Sequence, residues 1–318
     1  MARVKQAEPP AGPRMGVAED LLDGFFGSRE DLPLRIVAAR VSTAQRLKEI
    51  WQARELLLFL VRKELKVRYK NSVLGFLWSF LNPAMVLLIY FVVFRYIEHT
   101  PVPDFAVFLF CGLLPWNLFN TAILSSAGTL VANAGIVKKV AFPREVLALA
   151  QVGVATAYFL FQSCILVVFL VGFHVMPNWS YLPELLFAVV CDIVFSAALC
   201  LILSALNVYM RDIEHLIQVV LVALFFAEPI VYPWLDVGKH LAKYHLVWIY
   251  LANPLTPMVL AFQRCIYGNV SGSNTLLATY SATFYLELLG GVLVFSFLLF
   301  YVAMLIFRRV EGNFAEEL

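Results

Sequence analysis

The sequence predicts an all-α integral membrane protein with six membrane-spanning helices. Of its 318 residues, 61% are hydrophobic and 14% are charged, whereas a soluble domain is about 45–50% apolar and about 25% charged. Six apolar runs approach the roughly 20 residues that a span needs. The first forty residues are polar and lack the early apolar core of a signal peptide, so we expect the first span to act as its own insertion signal. Five cysteines show no metal-ligand spacing.

The chain before the first span is predicted to contain two parts. Residues 1–43 form a flexible cytoplasmic segment with mixed charges, and residues 44–71 form an amphipathic helix. Its apolar residues lie within an arc of roughly 120° at helical spacing: Leu47, Ile50, Trp51, Leu57, Leu58, Val61 and Leu65. A helix of this kind lies in the membrane interface or packs on another part of the same protein. We favour the interface.

The six-span domain is predicted over residues 72–318. The spans are Trp78–Tyr96 with a kink at Pro83, Phe105–Leu124, Val146–Phe173, Leu185–Leu206, Leu216–Tyr232 and Ala282–Phe307. A further segment, residues 234–280, precedes the last span. Its semi-apolar run Asn253–Gly268 is too short and too interrupted to cross a membrane, which indicates a re-entrant or interfacial helix.

The distribution of basic residues predicts that both termini are cytoplasmic. With the N-terminus inside, 20 of the 24 lysines and arginines lie on the cytoplasmic side, as the positive-inside rule requires. Two short charged hinges then face the cytoplasm. The first hinge is residues 133–145 and the second hinge is residues 207–215. Two alternatives are open: the hinges form a docking surface for a partner, or they only fix the topology.

Aromatic and acidic residues within the spans are candidates for a transport path. The aromatic candidates are Tyr90, Phe91, Phe94, Phe225, Phe226 and Tyr232, although membrane aromatics also face lipid or the interface. An acidic residue inside a span costs free energy, so a functional role is the first hypothesis for it. Three such acids are present: Asp192, Glu228 and Glu287. For Glu228, we consider hydrogen bonding to sugar hydroxyls and a structural pairing, for example with Arg264.

Five segments resemble one family. The run RKELKVRYKNSVLGFLWSFLNPAM, the hinges VKKVAFPREVLALA and NVYMRDIEHLI, and the segments FFAEPIVYPW and YLANPLTPMVLAFQRCIYG are similar, in this order, to ABC-2 type polysaccharide exporter permeases. That family serves O-antigen, teichoic acid, capsule or galactan. The resemblance covers residues from about 45 to the end. It implies export of a lipid-linked polysaccharide across the bacterial cytoplasmic (inner) membrane.

The resemblance also implies the partners. Two permeases form a homodimer, and each sits on a separate ABC ATPase subunit that binds ATP and Mg. This chain has no phosphate-binding loop, so it is expected to bind no cofactor itself and to hydrolyse no ATP. Membrane lipids are further expected partners, and nucleic acid is not. The hinge residues implied to dock the ATPase are Lys138, Lys139, Phe142, Pro143, Arg144 and Glu145, with Arg211, Asp212, Glu214 and His215.

The family substrate suggests two further sites. A polyprenyl-pyrophosphate-linked glycan has its anion at headgroup depth, where arginine and lysine suit phosphate oxygens. The basic candidates are Arg62, Lys63, Lys66, Arg68 and Lys70. The same residues also suit a role in topology and in attraction to anionic lipid. By resemblance, Asn253, Pro254, Pro257 and Arg264 belong to an outer gate.

Three rival interpretations stay open at this level. The first is an ABC-2 exporter of a small lipid or drug. The second is a membrane enzyme that modifies glycans, which would need grouped acids where the sequence has scattered ones. The third is a proton-driven secondary transporter that uses Asp192 and Glu228.

Overall fold

The structure is a computed structural model, and four of its helices are long and apolar enough to cross a membrane. It describes residues 42–317 except 69, 71, 73, 75–76, 98, 100–101, 141, 271–275 and 279, and the backbone alone of residues 79, 80, 82, 239, 313, 315 and 316. The predicted flexible segment therefore lies almost wholly outside the described residues. The four long helices are α4 (Phe105–Ala127), α7 (Glu145–Gly172), α8 (Leu182–Tyr209, after a 3₁₀ turn at Trp179–Tyr181) and α13 (Ala282–Val310). They match the predicted second, third, fourth and sixth spans.

The predicted first and fifth spans are shorter helices, so the expectation of six full-length spans is not confirmed. The first is α3 (Trp78–Val92), which contains Pro83 and continues as a π-helical turn over Val93–Ile97. The other is α9 (Ile213–Ala227). It ends early because Glu228 precedes a proline, which disfavours helical backbone at the preceding residue. Glu228 is extended, with φ −93° and ψ 149°.

Helices α4 and α8 form the centre of the described domain. Helix α4 packs against α7 and α8, and α8 also packs along α13. Most of α4 is buried, whereas most of α13 faces outward. Two similar apolar sequences therefore have different environments: α4 belongs to the core, and α13 presents most of its surface outward.

The predicted amphipathic helix is two helices, α1 (Thr43–Gln52) and α2 (Arg54–Arg68), separated by a turn at Ala53. One face of α2 packs on α7, where Gly153 permits the approach: a Cβ at Gly153 would lie 2.7 Å from Cγ2 of Val61. Leu58 and Phe59 remain exposed. The helix therefore packs on its own chain and still presents apolar side chains outward.

The segment before the last span contains three helices: α10 (Trp234–Lys243), α11 (Val247–Leu251) and α12 (Leu255–Tyr267). Every residue of α12 except Arg264 is buried. It packs against α4 and α8, so this helix is shielded by protein along almost its whole length.

Short helices complete the fold at the opposite end. Helices α5 (Thr129–Ala132) and α6 (Ala134–Val137) lead into the first hinge. After α13, a 3₁₀ turn at Glu311–Asn313 leads to α14 (Phe314–Glu317). Phe314 is buried against Phe307, with ring centroids 5.4 Å apart, so the C-terminal segment folds back onto the domain.

Candidate functional site: a polar cavity, two hinges and an entrance groove

A cavity of about 510 Å³ opens between α3, α4, α7 and α9. Helical spacing builds two of its walls: one face of α4 carries Trp116, Asn117 and Asn120, and one face of α9 carries Gln218, Phe225 and Phe226. Tyr90 from α3 stacks on Phe225, with ring centroids 5.4 Å apart and 26° between the planes. The cavity thus combines flat aromatic faces with amide groups.

Three of the aromatic path candidates line this cavity, namely Tyr90, Phe225 and Phe226. Phe91 and Phe94 do not. Phe94 packs on Phe105 and Phe91 packs on Tyr96, each with ring centroids 5.9 Å apart.

Sequence reasoning missed the amides and Trp116 in the wall of the cavity. Asn117 donates from Nδ2 to Oε1 of Gln162 across the cavity at 3.0 Å. Neither Asn120 nor Gln218 has a side-chain hydrogen bond with a described residue. Each amide stands within an apolar run of the sequence, but no single run shows that the amides meet in one cavity.

Glu228 and Tyr232 lie away from the cavity lining and tie α9 to the segment before the last span. The Glu228 side chain is buried and accepts hydrogen bonds from Nδ2 of Asn253 and from Oγ1 of Thr256, the latter at 2.9 Å. The Tyr232 hydroxyl donates to the carbonyl of Phe226 at 2.8 Å and lies 3.2 Å from the hydroxyl of Tyr250 on α11. Two predicted path residues therefore contact the predicted gate segment.

Arg264 forms a separate cluster, so its suggested pairing with Glu228 is wrong. Its guanidinium lies 3.3 Å from Oε2 of Glu184, at the start of α8. It also stacks between two rings, 3.9 Å from the centroid of Tyr181 and 4.5 Å from that of Tyr285. Of the other gate candidates, Pro257 is buried and Pro254 is half-buried.

The first hinge divides into an exposed part and a packed part. Lys138 and Lys139 are exposed. Phe142, Pro143 and Arg144 line a groove of about 600 Å³ whose other walls come from α1 and the C-terminal segment. Arg144 donates from Nη1 to the carbonyl of Glu311 and lies over the ring of Phe314.

Arg46 binds the three walls of this groove together. Its Nε lies 2.8 Å from Oε1 of Glu145, its Nη1 lies 3.2 Å from Oε2 of Glu49, and its Nη2 contacts Glu311. Glu145 is fully buried. Burial raises the pKa of Glu311 and the charge of Glu145 raises it further, while Arg46 opposes both. No pattern along the chain predicts that Arg46 contacts the hinge, because 99 residues separate it from Glu145.

The second hinge is the more exposed of the two. Arg211, Asp212, Glu214 and His215 are all exposed. The backbone N–H of Glu214 donates to Oδ1 of Asn207 at 3.2 Å. Its carboxylate lies over Gly128, where a Cβ would meet Oε2 at 3.0 Å. The second hinge is therefore packed against the end of α4, just before the helices that lead to the first hinge.

The basic candidates before the first span separate into two groups. Lys63 and Arg68 line a groove of about 700 Å³ between α2 and the ends of α4 and α7. Arg68 lies over the ring of Tyr158 on α7, 5.2 Å from its centroid, and Lys63 pairs with Glu64 at 3.1 Å. Arg62, Lys66 and Lys70 are exposed outside this groove.

The two remaining acids differ in environment. Asp192 is buried and accepts a hydrogen bond from Oγ of Ser196 at 3.2 Å. Glu287 is exposed on α13. Within the described part of the chain, no group of three or more His, Cys, Asp or Glu side chains could hold a metal ion.

Comparison with known proteins identifies the family of the chain. The ABC-2 type transporter family profile matches residues 55–267. An O-antigen export system permease protein RfbA from Klebsiella pneumoniae is 30% identical over 264 residues, covering 83% of this chain and 95% of the relative. A protein of the same name from Myxococcus xanthus is 34% identical over 223 residues, covering 70% and 84%. The polysialic acid transport protein KpsM of Escherichia coli is 28% identical over 227 residues, covering 67% and 82%. This multi-pass membrane protein belongs to the ABC-2 type transporter family.

Proposed function

We propose that the chain is the permease subunit of an ATP-driven exporter of a lipid-linked polysaccharide, working as a homodimer on two copies of an ABC ATPase. The ATPase binds ATP and Mg, and both termini of the permease lie in the cytoplasm. The observation that carries this proposal is the match, over most of the chain, to permeases whose names state O-antigen export. The cavity chemistry supports it independently.

The cavity suits a carbohydrate better than an apolar drug or lipid. Sugar C–H faces pack on flat rings such as Tyr90 and Trp116, and amides such as Asn120 and Gln218 exchange hydrogen bonds with hydroxyls. A path must bind its cargo loosely enough to release it. Neutral amides and rings meet that need, because they offer many weak contacts rather than one strong ion pair.

The same cavity supports the proposed homodimer. Unpaired polar groups are costly against lipid, and amides such as Asn120 and Gln218 line this cavity beside apolar residues of α3 and α9. A second permease placed over this cavity would enclose a path between the two copies. In such a dimer the exposed apolar faces of α3 and α9 would lie near the contact.

The two hinges are proposed to dock the ATPase. Lys138, Lys139 and Arg211 are exposed charges that favour an acidic partner surface and steer its approach. Phe142, half-buried at the rim of the groove, offers apolar contact. Buried Glu145 acts through Arg46 as a positioning residue that holds the hinge.

The groove beside α2 is proposed to admit the lipid-linked substrate. Lys63 and Arg68 line it together with the acids Glu64 and Glu214. The two basic groups are proposed to meet a pyrophosphate, while Arg62, Lys66 and Lys70 serve topology and attraction to anionic lipid. Arg68 is held by Tyr158, which lowers the entropy lost when its fork orders on phosphate oxygens.

Reconstitution tests the function. Proteoliposomes containing the permease and its ATPase, loaded with a polyprenyl-pyrophosphate glycan, should move the glycan across the bilayer when ATP is supplied. A Walker-lysine variant of the ATPase should abolish this movement. Transport that persists with that variant and stops when the proton gradient is dissipated would establish the secondary-transporter alternative instead.

A further inference from the structure

A third groove, of about 520 Å³, lies on the outward face of the last span. It runs between α13 and the segment around α11. Its walls are apolar or aromatic at every position but one, and Trp248, Phe284 and Phe295 supply the rings. The exception is Glu287. The groove is separate from the transport cavity and from both hinges, and shares no lining residue with them.

Glu287 is unusual in its own helix. It is the only charged residue between Ala282 and Phe307. Its side chain is exposed, and it makes neither an ion pair nor a hydrogen bond with any residue that the structure describes. An ionisable residue in a span is costly unless something pairs with it, so a partner outside this chain would stabilise Glu287.

The depth of Glu287 identifies the kind of partner. Helix α13 has 29 residues and is therefore about 44 Å long, close to the full bilayer of about 40–45 Å including headgroups. Glu287 lies five residues beyond Ala282, about 8 Å along the axis. This is the boundary between headgroups and hydrocarbon, where lipid headgroups are the molecules at hand.

The chemistry of the groove identifies the headgroup. A carboxylate attracts a cation and repels an anion, and aromatic faces attract ammonium groups. The apolar floor continues from Glu287 toward Gly291 and Phe295, which suits an acyl chain. A Cβ at Gly291 would meet no atom within 4 Å, so this part of the groove is open.

We propose that this groove binds a phospholipid with a primary ammonium headgroup, of the phosphatidylethanolamine class. The ammonium donates to Glu287 and lies beside Trp248 and Phe284, while one acyl chain follows the floor past Gly291. Phosphatidylglycerol, which is anionic and has no ammonium, is disfavoured at the same site.

Native mass spectrometry of the purified permease, titrated separately with phosphatidylethanolamine, phosphatidylcholine and phosphatidylglycerol of identical acyl chains, tests the proposal. Wild type should prefer phosphatidylethanolamine to phosphatidylglycerol. Glu287→Gln should weaken phosphatidylethanolamine binding about tenfold, equivalent to about 1.4 kcal/mol, without weakening phosphatidylglycerol binding. Asp236→Asn, which removes an exposed carboxylate of α10 outside the groove, is the matched control and should change neither.

A second variant keeps the test independent of the charge. Gly291→Leu fills the open floor and should lower retention of both lipids, because the acyl chain loses its place. Three results would overturn the proposal: no headgroup preference in the wild type, an unchanged preference in Glu287→Gln, or a loss of dimer in Glu287→Gln by light scattering. The last would assign the groove to a second copy of the chain.

Discussion

Nε of Arg46 lies 2.8 Å from Oε1 of Glu145, and this ion pair joins the first helix of the described chain to the first residue of α7. Arg46 also holds Glu311 beyond the last span. One guanidinium therefore connects an N-terminal helix, the end of the first hinge and the C-terminal segment. Oε2 of Glu145 is buried without a hydrogen-bond partner among the described residues, so the carboxylate depends on Arg46 for its compensation.

The first prediction concerns this ion pair. Arg46→Gln should lower the free energy of unfolding by about 3 kcal/mol, because it leaves the Glu145 carboxylate buried and uncompensated. Thermal unfolding in detergent measures the change. Glu49→Gln is the control: it removes the more exposed partner of the same arginine and should cost under about 1 kcal/mol. Equal losses in the two variants would contradict the assigned role of Glu145.

The second prediction concerns ATPase docking. Lys139→Glu and Phe142→Ala should each reduce co-purification of the ATPase with the permease, with little change in thermal unfolding. Charge reversal repels an acidic partner surface, and truncation of Phe142 removes apolar contact. Lys243→Glu reverses an equally exposed charge at the other end of the molecule and should co-purify normally. Full ATPase recovery with both hinge variants would remove the hinge from the docking surface.

The third prediction concerns the transport cavity and uses a matched pair of phenylalanines. Phe226 and Phe297 are each 55% exposed, but only Phe226 lines the cavity. Phe226→Ala should slow export several-fold, because a ring that packs on sugar is lost, whereas Phe297→Ala on α13 should not. Initial rates in proteoliposomes measure the difference, and similar rates for the two variants would argue against this cavity as the path.

The fourth prediction concerns the groove beside α2 that is lined by Lys63 and Arg68, the proposed entrance for the substrate. Arg68→Lys keeps the charge but loses the planar fork and its stacking on Tyr158, so substrate-stimulated ATP hydrolysis should need a higher glycan concentration. Arg62→Lys, outside the groove, is the control and should behave as wild type. If Arg68→Lys leaves the concentration dependence unchanged, the basic cluster serves topology and lipid attraction alone.

The fifth prediction concerns orientation. In a background without native cysteines, Lys139→Cys should react with a membrane-impermeant maleimide only after the cytoplasmic side is opened, and Lys243→Cys should react in intact spheroplasts. The basis is the bias of lysine and arginine to one side. The reverse pattern of labelling would invert the proposed topology.

Local pattern was enough to predict the long helices. The apolar runs after Phe105, Val146, Leu185 and Ala282 predicted four helices whose starts the structure places within a few residues. The pattern failed where chain geometry intervened. The predicted fifth span ends at Ala227 because Pro229 forces Glu228 out of the helix. The amphipathic helix breaks at Ala53, and the spacing of its apolar residues does not predict this break.

Site residues divide in the same way. Their aromatic side chains predict that Tyr90, Phe225 and Phe226 line the path, and all three line the cavity. Phe91 is only one residue from Tyr90, yet its ring packs on Tyr96 instead. Adjacent positions of a helix point about 100° apart, and hydrophobic spacing in a span that is apolar all round does not reveal which direction is inward. The amides Asn117 and Gln162 meet from two different helices, so no single segment of the sequence shows that they are hydrogen-bond partners.

The sequence by itself determined that this protein is a multi-pass membrane protein, where its long helices lie, and which family it belongs to. These properties follow from composition, the length of apolar runs and short contiguous motifs. Only the tertiary structure decided that Arg46 compensates Glu145, that Arg264 pairs with Glu184 rather than Glu228, and that amides share a cavity with Tyr90. The physical reason is that a buried charge or amide is stabilised by whichever group the packing of distant helices brings within about 3 Å, and separation along the chain places no limit on that choice.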